Sequence, residues 1–457
     1  MKMPVHGRMT NTMQHKRNHL VRFAAAFASL LLLADEAGAQ GRTYRVRKDG
    51  SGDFTTINAC VSAMAGGDTC LVGPGSYQER VRFPAGKSGT AARLTLIKAE
   101  TPGTVDTWGA DTANCNYVRI EGFNVSIPST LTGWTDGVGV VVRSSNVEVV
   151  SNYIHDVHYA GVSGTANNVL VRGNHTYKCG MGIVIGGSNW LVDLNQIERI
   201  QKYPELGDAD HTRFVGQNHI IRSNHFYGTL ESEIGAAHVD GFQTFDDAGD
   251  SAQHILIEAN WLEGFYHQGV FMEATFHTNT YDITIRNNVF IGAATFGVGA
   301  VRNMRDVKVY NNTFINPDIY GVRFTDSSTG DVKNNVFYSN KTGIPSGDIR
   351  ELTYSADATC TMTGDHNLLY IPSLTISQSW YPNDLVNQNP LFANLAGQDF
   401  HVLTNSPAID RGVTLAAAVP QDMDGIARPQ GPAWDIGAYE FHNVNRPAPP
   451  TNLRVIP

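Results

Sequence analysis

An asparagine beat constrains this chain more than any other feature. Asn152, Asn174, Asn195, Asn224, Asn260, Asn288, Asn312 and Asn335 follow one another at intervals of 22, 21, 29, 36, 28, 24 and 23 residues. Each sits between an alternating apolar run and an aromatic or aliphatic step, as in VEVVSNYI, WLVDLNQI and ILIEANWL. Self-similarity at such a period means stacked units, each too small to bury its own apolar face. Alternation inside each unit makes the units strands. The expected architecture is an all-β parallel solenoid. Asn tolerates left-handed backbone, so each asparagine is expected at a sharp corner, with its amide bonded from coil to coil. These asparagines are read as structural, not catalytic.

A chain of 457 residues would ordinarily divide into two or three domains, but a solenoid grows in one dimension. Residues 1–39 read as a secretion signal. Lys16, Arg17 and Arg22 precede the apolar run Phe23–Ala34, and Ala37-Gly38-Ala39 offers small residues for cleavage. Residues 40–117 read as an opening cap and first coils, including a short helix with Ile57, Cys60, Val61 and Met64 on one face. Residues 118–360 read as the parallel core, 361–441 as closing coils and a C-terminal cap, and 442–457 as a Pro-rich tail. The expected location is secreted or periplasmic, the expected state a monomer, with no membrane span. Without residues 1–39, which carry five Lys/Arg and two Asp/Glu, the net charge moves from −9 to −12. Such a balance argues against nucleic acid or an anionic membrane as partner. Of the five cysteines, Cys60 and Cys70 are the best candidate pair, and an odd count leaves at least one thiol free.

The stretches GDFTTINACVSAMAGGDTCLVGPGSYQERV and NSPAID with DIGAYEF carry a resemblance over residues 43–441. The chain resembles the pectin-lyase-like superfamily of right-handed parallel β-helix proteins. That resemblance implies a single-stranded right-handed β-helix with an N-terminal helical cap and a C-terminal cap. It also implies a carbohydrate-active enzyme (lyase, hydrolase or epimerase), or else an adhesin or fibre; fold alone does not select among these. HVDGFQTFDD faintly resembles the NTDG and DD motifs of polygalacturonases. The later GHG and RIK motifs are absent, as are the DPH motif of alginate epimerases and a clear match to the Lys/Arg pair of alginate and chondroitin lyases.

The over-long intervals mark coils with insertions, and insertions on a solenoid gather on its working face. Aligning GDADHTRFV with AAHVDGFQTF stacks Asp208 on His238, Asp210 on Asp240 and Arg213 on Gln243. The next coil puts Tyr266, Gln268 and Phe271 at those levels, with His267 and Glu273 beside them. Taking Phe214 and Phe245 as inward, Arg213 and Gln243 are expected outward. The expected catalytic residues are His238, Arg213, Asp240, His267 and Glu273. The expected substrate contacts are Gln243, Tyr266, Gln268 and Arg302. Asp208, Asp210 and Asp240 are hard oxygen donors suited to Ca²⁺, the one cofactor expected.

An extracellular polysaccharide is the expected partner. In β-elimination a base removes the proton α to a uronate carboxylate, which a cation neutralises. Arg213 is read as pairing with that carboxylate and a histidine as the base. Paired carboxylates also suit a glycoside hydrolase. A non-catalytic glycan-binding protein is the third reading. The lyase fits the mixture best.

Overall fold

The computed structural model describes residues 41–204, 206–234, 238–246, 250–265, 267–276, 279–293, 295–341, 352–377 and 381–442. The proposed signal and tail lie outside them, apart from His442. The chain winds as a parallel β-helix whose coils each contribute strands to three faces. Two faces belong to one 23-stranded sheet because strands Ala160–Arg172 and Met181–Asp193 run unbroken through the corner between them; the third face is a 13-stranded sheet. Pairing from coil to coil is parallel throughout these stacks.

The asparagine ladder forms, and it is fully satisfied. Asn152 Oδ1 accepts from the Phe123 backbone N–H. From Asn174 onward each amide oxygen accepts from the backbone N–H and from Nδ2 of the preceding ladder asparagine, at 3.0 and 3.0 Å from Asn152 to Asn174 and at 2.9 and 3.0 Å from Asn288 to Asn312. Each Nδ2 also donates to a carbonyl of the coil before, as Asn260 does to Ile221 at 2.9 Å. Two donors and two acceptor sites are thus used on every asparagine rung from Asn174 onward, which is what burial demands. The ladder runs further than the eight asparagines. Asn335 donates to Asn367, and Asn367 donates to Oδ1 of Asp384. A carboxylate suits the last rung, because no further acceptor must be supplied with a donor.

The left-handed corner is not at the ladder residue. It lies one position earlier, at Ser151, Leu194, Ser223, Ala259, Asn287, Asn311 and Asn334, with φ between 52° and 58°. The ladder asparagine is chosen for its amide. Backbone tolerance explains a different column, Asn146, Asn168, Asn189 and Asn218 (φ 57° to 60°), at the corner between the first and second faces.

Inside the coils, side chains repeat the rise of the solenoid. Phe290, Phe314 and Phe337 stack nearly parallel with centroids 4.8 and 4.9 Å apart. Each buried phenylalanine contributes roughly 1.5–3 kcal/mol by removal from water. The helix Ile57–Ala63 begins at Thr56, whose side chain accepts from Ala59 N–H. It buries Ile57, Cys60, Val61 and the following Met64, and Cys60 is bonded to Cys70. Cys115, Cys179 and Cys360 are free.

The closing segment returns along the third face. There Val289, Ile315, Val336, Tyr338 and Leu368 face Phe400, Val402, Ile436 and Tyr439 in one cluster. Asn287, Asn311 and Asn334 donate Nδ2 hydrogen bonds to the carbonyls of Gln421, Asp435 and Val413. Trp261 stacks on Phe400 at 5.5 Å, so it seals this junction from outside and does not fill the solenoid interior.

Candidate functional site

The site lies on the first face, on strands Ala209–Phe214, Val239–Phe245 and Val270–Glu273. The register is the one expected: Asp210 pairs with Asp240, Arg213 with Gln243, and Gln243 with Phe271. Pairing between the first two strands is interrupted at His211. The pleat changes phase at this break. Ala209 and Val239 are core residues, and so are Phe214 and Phe242, an odd number of positions further on. Asp210 and Arg213, three residues apart, therefore meet on the same outer side.

Phe245 differs from the expectation. Phe242 and Thr244 are buried, which puts Gln243 and Phe245 together on the outside. Residues two apart share a side, so Phe245 and Gln243 cannot face opposite ways. The Arg213 guanidinium lies over the Phe245 ring, 5.0 Å from its centroid.

Arg213 is captive. Its Nε donates to Oδ2 of Asp210 at 2.8 Å, and its Nη2 donates to Oδ2 of Asp208 (2.8 Å), to Oε1 of Gln243 (2.6 Å) and to Asp210. With its side chain 17% exposed, it organises the carboxylates and is not presented to an incoming uronate. It also fills the place between Asp208 and Asp210 that a cation would take. Among the described residues, no group of three or more His, Cys, Asp or Glu is arranged to hold a metal ion. As placed, these carboxylates do not fit a calcium cage.

Asp210 and Asp240 are stacked, and each is wholly buried. Oδ1 of Asp240 accepts from the backbone N–H of Gln268 at 3.1 Å. Its Oδ2 accepts no hydrogen bond; His238 Nδ1 is 3.3 Å away without the alignment of one. Burial pushes both carboxyls upward in pKa, and the negative charges of their acidic neighbours add to the rise, while Arg213 opposes it. A guanidinium is bonded to Asp210 and none to Asp240, which favours the ionised form of Asp210 over that of Asp240.

Above this pair stand two imidazoles. His238 and His267 have ring centroids 4.6 Å apart, and the His238 side chain is 40% exposed. Burial lowers the pKa of His238, the neighbouring His267 lowers it further, and Asp208 opposes them. A neutral imidazole at neutral pH can take a proton. Glu273 is on the same outer side and binds Arg302 at 2.7 Å; the Arg302 side chain is 54% exposed. Arg302 is the arginine here that a solute reaches.

The structure thus brings together Asp208, Asp210, Arg213, His238, Asp240, Gln243, His267 and Gln268, with Glu273 and Arg302 alongside. Tyr266 lies outside the described residues. Asp246, which reads from sequence as a solvated turn, is buried and accepts the Phe276 N–H at 3.0 Å. Two features escape a sequence reading. One is the outer aromatic row Phe271, Phe296 and Tyr320, stacked at 6.2 and 5.3 Å; Phe296 and Tyr320 share a level, while Phe271 is level with Gly299 and its ring reaches across the space that the glycine leaves. The other is His211.

No helix among the described residues is long and apolar enough to cross a membrane. Among curated protein sequences, none matches. Solved structures do. Pectate lyase Pel9A is 18% identical, with 89% of this chain and 98% of that chain covered and a TM-score of 0.54. XylC in complex with xylose is 10% identical over 87% and 98%, with a TM-score of 0.51. The PL6 family polysaccharide lyase Pedsa3628 from Pseudopedobacter saltans is 13% identical over 76% and 99%, with a TM-score of 0.48. At these identities the likeness is of fold. The family model for the right-handed β-helix region matches residues 109–314 and 250–366, together more than half of the chain. With its parallel coils and satisfied ladder, the chain belongs to the right-handed β-helix family.

Proposed function

We propose that this protein is an exported polysaccharide-acting enzyme, and that its reaction is β-elimination on a uronate-containing chain. The observation that carries this reading is the half-exposed imidazole pair His238/His267 above a buried carboxyl pair. A neutral His238 takes the proton α to the uronate carboxylate. The electron pair left behind forms the new double bond, the glycosidic bond at the β carbon breaks, and the departing oxygen takes a proton. His267, close by, is suited to supply that proton when protonated. Arg302 is the reachable cation for the substrate carboxylate, with Glu273 fixing its position. Asp208, Asp210 and Arg213 hold the frame. Pectate lyase Pel9A shares the fold, but the chemistry here rests on the site's own residues.

A glycoside hydrolase is the second reading, supported by the Asp210–Asp240 stack, whose carboxyls burial pushes upward in pKa. Both carboxyls are buried, so a substrate would have to displace His238 to reach them. That favours elimination. The test is incubation with polygalacturonate, alginate and xylan, with and without a chelator. Unsaturated ends absorbing in the near ultraviolet support the lyase. Reducing ends without them support the hydrolase. No product from any polymer, with binding retained, supports a glycan-binding protein. Activity abolished by chelator and restored by Ca²⁺ would return a metal to the account.

A further inference from the structure

Eight coils carry glycine at one register position, where the first face begins: Gly109, Gly139, Gly161, Gly182, Gly241, Gly269, Gly297 and Gly321. The cause is crowding. A Cβ added at Gly161, Gly182 or Gly297 would come within 2.8, 2.3 or 2.5 Å of the next coil's carbonyl oxygen, and each would also press on the third-face side chain opposite (Thr176, Ile197, Phe314). Level with these glycines, one residue before the Ile183–Thr212 pairing, the site coil carries His211. Its imidazole points into the solenoid and is wholly buried. Nδ1 is 3.1 Å from the carbonyl oxygen of Asp240, and Nε2 is 2.8 Å from that of Tyr227 on the third face. The ring also lies against Phe226, with centroids 6.3 Å apart.

We propose that His211 is a positioning residue, a brace across the solenoid interior that fixes Asp210 over Asp240. It follows Asp210 directly in the chain, and its ring holds the peptide of Asp240. One side chain thus ties together the two peptides that bear the carboxyls. It also anchors them to the third face and sits where the strand pairing is interrupted. A neutral imidazole has one N–H, so the brace is one donated hydrogen bond plus a close polar contact. Burial lowers its pKa to about 4, which keeps the ring neutral. The groups around the carboxyls that it positions are Asp208, Arg213, His238 and His267. The effect on rate rests on the reaction proposed above; the effect on the carboxyls does not.

The experiment compares His211→Gly, which restores the residue of the other coils, with His211→Phe, which keeps the ring against Phe226 and removes the polar contacts. Two readouts are taken. One is the infrared carbonyl band of the protonated carboxyl at pH 7; the other is kcat and KM on the polymer that the protein cleaves. Both variants are expected to melt cooperatively. Both should show a shifted or weakened carboxyl band and a kcat lowered about tenfold or more with KM little changed, as a misplaced group costs rate before binding. His211→Gln, which can still reach a carbonyl, should recover part of each. If His211→Gly does not fold, His211→Phe decides. A folded His211→Phe with the wild-type band overturns the proposal, whether or not any polymer is cleaved.

Discussion

The asparagine ladder and the aspartate stack are two columns of buried polar side chains in one solenoid, and they are built to opposite rules. In the ladder, every amide between Asn152 and Asn367 has its donors and acceptors matched from coil to coil. In the stack, two carboxyls are buried one above the other, one of them with an oxygen that accepts no hydrogen bond. A satisfied buried network rigidifies; an unsatisfied one costs stability and persists where it has a use. The contrast separates architecture from chemistry without reference to any other protein.

The largest expected effect lies on the chemical side of that contrast. His238→Ala should lower kcat by about 100- to 10,000-fold, the usual range for a positioned acid or base, with the melting temperature nearly unchanged. A loss below fivefold would remove His238 from the reaction. On the ladder side, Asn260→Ala strands the N–H and Nδ2 donors of Asn224. It should destabilise the fold by about 3 kcal/mol in chemical denaturation, since each buried orphan costs about 1–3 kcal/mol.

Asp240→Asn should act in the opposite direction. A carboxyl whose folded pKa is raised contributes stability at pH below the ordinary carboxylate value of 3.8 and loses it as pH rises through the folded value. The amide does not titrate, so the variant should gain on the order of 1 kcal/mol at pH 8 relative to wild type, with little gain at pH 3. A variant less stable than wild type at both pH values would make the aspartate stack a structural column like the ladder. The smallest effect belongs to His267→Gln. His238 is held below its ordinary value of 6.5, in part by His267. Removing that neighbour should move the acid limb of the pH–rate profile upward toward 6.5 without reaching it, because the burial of His238 remains.

The repeat, the three-faced coil and the pairing of Asp210 with Asp240 are legible in the sequence because they follow from spacing alone. A period counted from asparagines places every rung, and aligning two insert-bearing coils on their aromatics gives the register. What the sequence hides is phase. The pleat shifts at His211, so counting by two back from the inward Phe214 puts Asp210 inside, although it lies with Arg213 on the outer side. Nor does residue type reveal engagement: Arg213 reads as a substrate ligand but is consumed by Asp208, Asp210 and Gln243. The ladder's end is hidden for a related reason. Asn367 fits the phrase as HNLLY, but its interval of 32 residues from Asn335 and the switch to Asp384 break the rhythm on which the reading depends.

The most direct measurement is the infrared difference spectrum between wild type and Asp240→Asn at pH 7, in the region of the protonated carboxylic C=O stretch. A buried carboxyl pair that keeps one proton predicts a protonated-acid band in the wild type that is absent in the variant. A wild-type spectrum with only ionised carboxylate at pH 7 would contradict it.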